Sequence, residues 1–276
     1  MSKESKIMLE SDNIEVDGLS IRFISHKRND GIPILFTAPW PESIYSFYRI
    51  LPRLADTYSY VAVDLPGYGQ SQSREEVMSP EAMGDFIITL LKKLGINRTH
   101  VVAPDVGTPA VLFAAAKNPE LFESLVLGSA ATRVDLAGGI LKDAINSPKG
   151  AFADVGAEAI KDYLIHAAQL TPGDIIEDFR KGSSGRRFEE AVQYVRAYKT
   201  DLPKLEVLLA KIESPVLILA GKNDPIVPPS NGQFLSEKLI RSRYVLLDAY
   251  HRVWEEAFSS YTDELVSWLA GGYRSI

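Results

Sequence analysis

Short, almost wholly apolar runs alternate with helical patterns along most of this chain, and that alternation limits the fold more than any other feature. Ile32 to Ala38, Tyr58 to Leu65, Val101 to Ala103, Leu125 to Leu127, Pro215 to Ala220 and Tyr244 to Leu247 read as strands. They show little sign of a polar face, as expected of strands covered by helices on both sides. Between them, Ser43 to Ala55, Val106 to Lys117, Gln233 to Ile240 and a last segment ending near Leu269 read as helices. Ser79 caps a helix that starts at Pro80 and runs to about Leu94, with Gly95 as its stop. Ile14 to Val16 and Leu19 to His26 flank Asp17-Gly18, a hairpin signal, so the sheet starts antiparallel. Strand–helix alternation then predicts an α/β fold with a mostly parallel sheet.

After Ala131 the alternation stops. Residues 132–206 hold glycines, polar turns and helical patterns but no convincing strand, and it resumes afterwards. The predicted organisation is a core of 1–131 and 207–276 with 132–206 inserted as a helical cap, or lid. A length of 276 residues suits one large domain with an insertion, and 46% hydrophobic residues supply its core. The formal charge of -6, with no basic stripe, argues against nucleic acid as a partner. The absence of cysteine excludes disulfides and thiolate chemistry. No apolar run approaches the roughly 18 residues that span a bilayer, so no membrane partner is expected, and a cytoplasmic location is.

Val101-Val102-Ala103-Pro104-Asp105-Val106-Gly107-Thr108 sets a carboxylate between a strand and a helix, with small residues two positions away on each side. A sharp strand-to-helix turn needs such neighbours, because the backbone there is strained and the flanking chains pack closely. The turn would present Asp105 at the carboxyl edge of the sheet, where open α/β sheets bind ligands. An aspartate could instead be a simple helix cap. Alone, Asp224 before Pro225 reads equally well as a turn residue, and His251 as a surface histidine at a strand end.

Together these segments resemble the α/β-hydrolase superfamily, and specifically its aspartate-nucleophile branch, the epoxide hydrolases and haloalkane dehalogenases. Asp64-Leu65-Pro66-Gly67-Tyr68-Gly69-Gln70-Ser71 is similar to that superfamily's D-x-P-G-x-G-x-S turn, and Gly67-Tyr68-Gly69 is read as structural. Trp40-Pro41-Glu42-Ser43 looks like the end of the H-G-x-P-E-S loop. Ala220-Gly221-Lys222-Asn223-Asp224 matches the loop bearing the acid, and His251, followed by Trp254-Glu255, matches the histidine. The resemblance implies an eight-stranded sheet, a triad of Asp105, His251 and Asp224, and an oxyanion hole from the backbone N–H groups of Trp40 and Val106.

A carboxylate nucleophile narrows the chemistry. Attack on an ester would give a mixed anhydride, whereas attack on a saturated carbon gives an ordinary alkyl ester, which water activated by His251 can open. Epoxides need an acid for the departing oxygen, which epoxide hydrolases supply from cap tyrosines. Here the candidates are Tyr163, Tyr194 and Tyr198, the last two sharing one face if helical. Tyr194 lies thirty residues before Asp224, a separation resembling the family's second lid tyrosine. Haloalkane dehalogenases carry Trp, and haloacetate dehalogenases Arg, immediately after the nucleophile, where this chain has Val106. An epoxide hydrolase-like activity on a small apolar substrate is therefore expected first, dehalogenation second. Ala38-Pro39 replaces the family's His-Gly, Pro104 its usual His, and Tyr250 the Gly before the histidine. These departures keep open a non-catalytic small-molecule-binding or lyase-type reading. No cofactor or metal is expected, and the chain would be a monomer or homodimer.

Overall fold

In the computed structural model, which describes residues 9–28 and 30–276, the apolar runs assemble into one eight-stranded sheet. Its strands are β1 (Asp12–Val16), β2 (Leu19–His26), β3 (Ile34–Thr37), β4 (Tyr60–Val63), β5 (Thr99–Pro104), β6 (Phe122–Gly128), β7 (Val216–Gly221) and β8 (Ser242–Leu247). Their order is β1-β2-β4-β3-β5-β6-β7-β8. The pairs β1–β2 and β2–β4 are antiparallel and all others parallel. Asp17 and Gly18 both take positive φ, 50° and 74°, the combination that turns a tight hairpin.

Helices cover both faces. They are α1 (Leu51–Leu54), α2 (Pro80–Lys93), α3 (Gly107–Lys117), α4 (Gly139–Asn146), α5 (Lys161–Ala167), α6 (Gly173–Gly182), α7 (Arg187–Arg196), α8 (Tyr198–Leu208), α9 (Ser230–Lys238), α10 (Val253–Glu256) and α11 (Phe258–Leu269). One apolar cluster joins alternate residues of β3, β5 and β6 to α2, α3 and α9. The other joins the opposite residues of the same strands to α1, α10 and α11. The Ser79 hydroxyl accepts the N–H of Ala82 and caps α2, as its sequence predicts.

Ser43 to Ala55 is not the single helix its pattern suggests. A 3₁₀ turn at Ile44–Phe47 and the short α1 divide it. Pro52 has no N–H to give the carbonyl of Tyr48, which disfavours a continuous helix there. Between β6 and β7 the described chain forms only helices and turns, α4 to α8 with 3₁₀ segments at Val134–Leu136 and Gly156–Ile160. A single αR residue, Ala197, links α7 to α8, so Tyr194 and Tyr198 share one face and their rings meet at 5.7 Å. Among the described residues no helix is long and apolar enough to cross a membrane.

Candidate active site

The loops after β5, β7 and β8 open on the same edge of the sheet, and each carries one of three residues that converge. Asp105 follows β5 with φ +54°, a left-handed conformation that a non-glycine residue holds only under constraint. Its N–H is tied to the carbonyl of Gly128 at the end of β6, 2.9 Å away. At Gly107 a Cβ would fall 2.1 Å from Oγ1 of Thr37, so the start of α3 can sit this close to β3 only as glycine.

Asp224, after β7, is fixed by three donors. Its Oδ1 accepts the N–H groups of Ile226 and Val227, each at 2.8 Å, and its Oδ2 lies 2.8 Å from Nδ1 of His251. That contact keeps the proton on Nδ1 and turns Nε2 toward Asp105, whose Oδ1 is 3.8 Å away. The other carboxylate oxygen, Oδ2, accepts the N–H of Trp40 at 2.7 Å, and the nearby N–H of Val106 adds a further influence favouring the charge. All three residues are buried.

Burial is the main influence on the charges. It raises the Asp105 pKa to about 6, against the lowering effect of His251 and the two N–H groups. Burial opposes a charge on His251, but Asp224, Asp105 and Glu42 outweigh it and lift its pKa to about 9.

Glu42 is the centre of a second buried cluster. It accepts from Ser46 Oγ, Tyr163 Oη, Arg252 Nε and, at 2.9 Å, Trp254 Nε1. Arg252 also reaches Glu255 and, at 2.9 Å, Thr171. The cluster ties the loop carrying Trp40 to the residue next to His251. Glu42 sits in the quoted Trp40-Pro41-Glu42-Ser43 segment, but Arg252 is 210 positions away, and no local spacing announces such a pair.

A sequence model of the α/β hydrolase fold family matches residues 32–257. The chain belongs to this family. This hydrolase is 27% identical over 251 residues to an uncharacterized hydrolase, YugF, of Bacillus subtilis, covering 87% of this chain and 91% of that one. It is 28% identical over 249 residues to a pimeloyl-[acyl-carrier protein] methyl ester esterase of Neisseria meningitidis, covering 85% and 92%. A shorter match, 24% over 127 residues, is to a soluble epoxide hydrolase of Corynebacterium sp., covering 46% and 42%. The crystal structure of Cfl2 from Burkholderia cenocepacia superposes with a TM-score of 0.82 at 22% identity, covering 94% and 95%.

The three tyrosines singled out in the sequence fare differently. Tyr163 spends its hydroxyl on Glu42. Tyr194 donates to the carbonyl of Val106 at 2.6 Å. Tyr198 is buried against Tyr194, within the electrostatic influence of Asp105. The indole of Trp40 stacks on Phe188 of α7, ring centroids 5.2 Å apart. Ser129, directly after β6, is a further constrained residue, with φ +45° and a buried, unpartnered hydroxyl.

Proposed function

We propose that this hydrolase uses Asp105 as a nucleophile on saturated carbon, opening a small, largely apolar epoxide through a covalent alkyl ester. The division of labour between the two Asp105 oxygens carries this reading. Oδ2 is held by the N–H of Trp40, while Oδ1 is on the side of His251.

Asp105 Oδ1 bonds to the substrate carbon as the carbon–oxygen bond of the ring breaks. With its pKa near 6, Asp105 is ionised at neutral pH and ready to attack. Alkylation turns that anion into a neutral ester and removes one of the charges that hold His251 protonated. Its pKa then falls, and the imidazole becomes a base at the step that needs one. Water attacks the Asp105 carboxyl carbon and gives one proton to His251. The negative charge of the tetrahedral intermediate falls on Oδ2, already bonded to the N–H of Trp40. As the intermediate collapses, the bond from the carboxyl carbon to Oδ1 breaks, His251 passes its proton to the departing alcohol, and the water oxygen stays as the acid's own O–H. Asp224 holds the tautomer and stabilises the imidazolium. Residues 132–206 act as the lid, and the hydroxyl of Tyr198 donates to the departing oxygen. That hydroxyl, with Val106 in place of an indole or guanidinium donor after Asp105, favours an epoxide over a halide.

The test is His251→Gln, which leaves alkylation possible but stops hydrolysis. Intact-mass analysis after mixing with an aryl epoxide should show the protein heavier by the mass of one substrate, and peptide mapping should place it on Asp105. No adduct with any epoxide or haloalkane would end this reading, and adducts from haloalkanes alone would make the protein a dehalogenase.

A further inference from the structure

Tyr68, in the turn after β4, reads from sequence as part of a structural bend, yet it holds one of the few buried side-chain polar atoms without a partner. The residue is 1% exposed, and its hydroxyl meets no donor or acceptor among the described residues. A buried hydroxyl left in this state destabilises a fold, and a phenylalanine would fill the same space without that penalty. The surroundings supply a reason for keeping it. The ring of Tyr68 packs edge-on against Tyr194 at 5.8 Å, and Tyr194 packs in the same way against Tyr198. Tyr194 is anchored on the carbonyl of Val106, the residue after Asp105. The three rings therefore form one cluster at the candidate nucleophile, and the charge of Asp105 acts on each of them. In this cluster Tyr194 is committed to the backbone, and the hydroxyl of Tyr68 is without a partner among the described residues.

The turn holds Tyr68 rigidly. Asp64, fully buried, accepts from Ile44 N at 2.8 Å, Gln70 N at 3.0 Å and Arg22 Nε at 2.6 Å. At Gly69, with φ +47°, a Cβ would come within 2.1 Å of the same carboxylate. A residue fixed from beneath by a carboxylate cradle is well suited to hold a donor at a set position.

We propose that Tyr68 is a second hydrogen-bond donor to the leaving oxygen, acting with Tyr198, so that one donor comes from the sheet and one from the helical block. The inference rests on the Asp105 reading above. As Asp105 bonds to carbon, the electron pair of the broken bond passes to the ring oxygen, which takes a phenolic proton. Hydrolysis of the ester leaves the Asp105 carboxylic acid, and its proton restores the phenol. Burial raises the Tyr68 pKa well above its ordinary value, so the phenol starts each turnover protonated.

The experiment compares His251→Gln with the double variant His251→Gln/Tyr68→Phe, following ester formation from an aryl epoxide by mass spectrometry, with thermal unfolding of both. Tyr68→Phe should slow ester formation about a hundredfold and leave the unfolding temperature unchanged or higher. An unchanged rate overturns the proposal. A slower rate with a lower unfolding temperature also overturns it, because the hydroxyl would then be structural. If the single variant forms no ester at all, the Asp105 reading itself has failed and Tyr68 falls with it.

Discussion

Strands β5 and β7 bury every residue they contain, whereas the helical block between β6 and β7 adds ions and hydroxyls to its apolar contacts with the rest of the molecule. Arg22 of β2 grips both oxygens of Asp178 in α6 at 2.7 and 2.8 Å. Arg187 of α7 donates to the carbonyls of Gly69 and Ser71, each at 2.8 Å. Thr171 donates to Glu255, Tyr163 to Glu42 and Tyr194 to Val106. Apolar residues of α7 and α8 such as Val195, Leu202 and Leu205 add contact area, but area is non-directional and tolerates small shifts. Hydrogen bonds weaken within tenths of an ångström and tens of degrees. Apolar contact thus holds the block on the core, and the directional bonds of the seam fix where it sits.

That contrast is most easily broken at Arg22. Arg22→Ala strands two buried carboxylates, Asp64 and Asp178, and should cost about 3–5 kcal/mol, read as a fall in the denaturation midpoint. A loss below about 1 kcal/mol would put the seam on a level with exposed ion pairs.

A second probe separates the site from the scaffold by pH. The Asp105 pKa in the fold, about 6, lies above its ordinary 3.8, so the folded protein binds this proton more tightly than the unfolded chain. Stability from this group is present at low pH and declines as pH rises between about 4 and 6. Asp105→Asn should remove that decline and be the more stable protein at pH 8, by at most about 3 kcal/mol, while losing turnover. In the wild type the single-turnover alkylation rate should rise through about pH 6. His251 runs the other way: its pKa of about 9 exceeds the ordinary 6.5, so its stabilisation is complete below 6.5 and lost as pH climbs through 9. An Asn variant with an unaltered stability profile between pH 4 and 6 would contradict the buried charge.

The smallest effect sharpens the contrast. Tyr194→Phe leaves the Val106 carbonyl without its donor and should cost about 1 kcal/mol. Ile218→Val in β7 removes one methylene from the core and should cost about the same. Equal losses in chemical denaturation should accompany unequal kinetics, with kcat or KM altered only by the tyrosine change. Parallel kinetics for the two would show that the seam does no positioning.

The sheet was readable because its signals are local. Asp17-Gly18 names its own turn and Ser79 its own helix start, each within a few residues. Asp105 could be placed because a strand, a turn and small neighbours are contiguous around it. The seam could not be read in this way. Arg22 and Asp178 lie 156 positions apart, and each looks like an ordinary surface charge in its own segment. Tyr68 was hidden by its surroundings, since two glycines and a proline explain the turn without any use for the phenol. Ser43 to Ala55 misled for another reason: its apolar spacing suits a helix, and the missing N–H of Pro52 counts against one.

The grip of Trp40 on Oδ2 of Asp105 has one more consequence. Serine-type relatives keep such an amide for the carbonyl oxygen of an incoming ester. On the present reading the enzyme's own anion already occupies it, so an acyl group would have to evict a charged oxygen before it could be polarised. Exclusion of acyl compounds is thus written into the resting protein, by an atom that never bonds to the substrate.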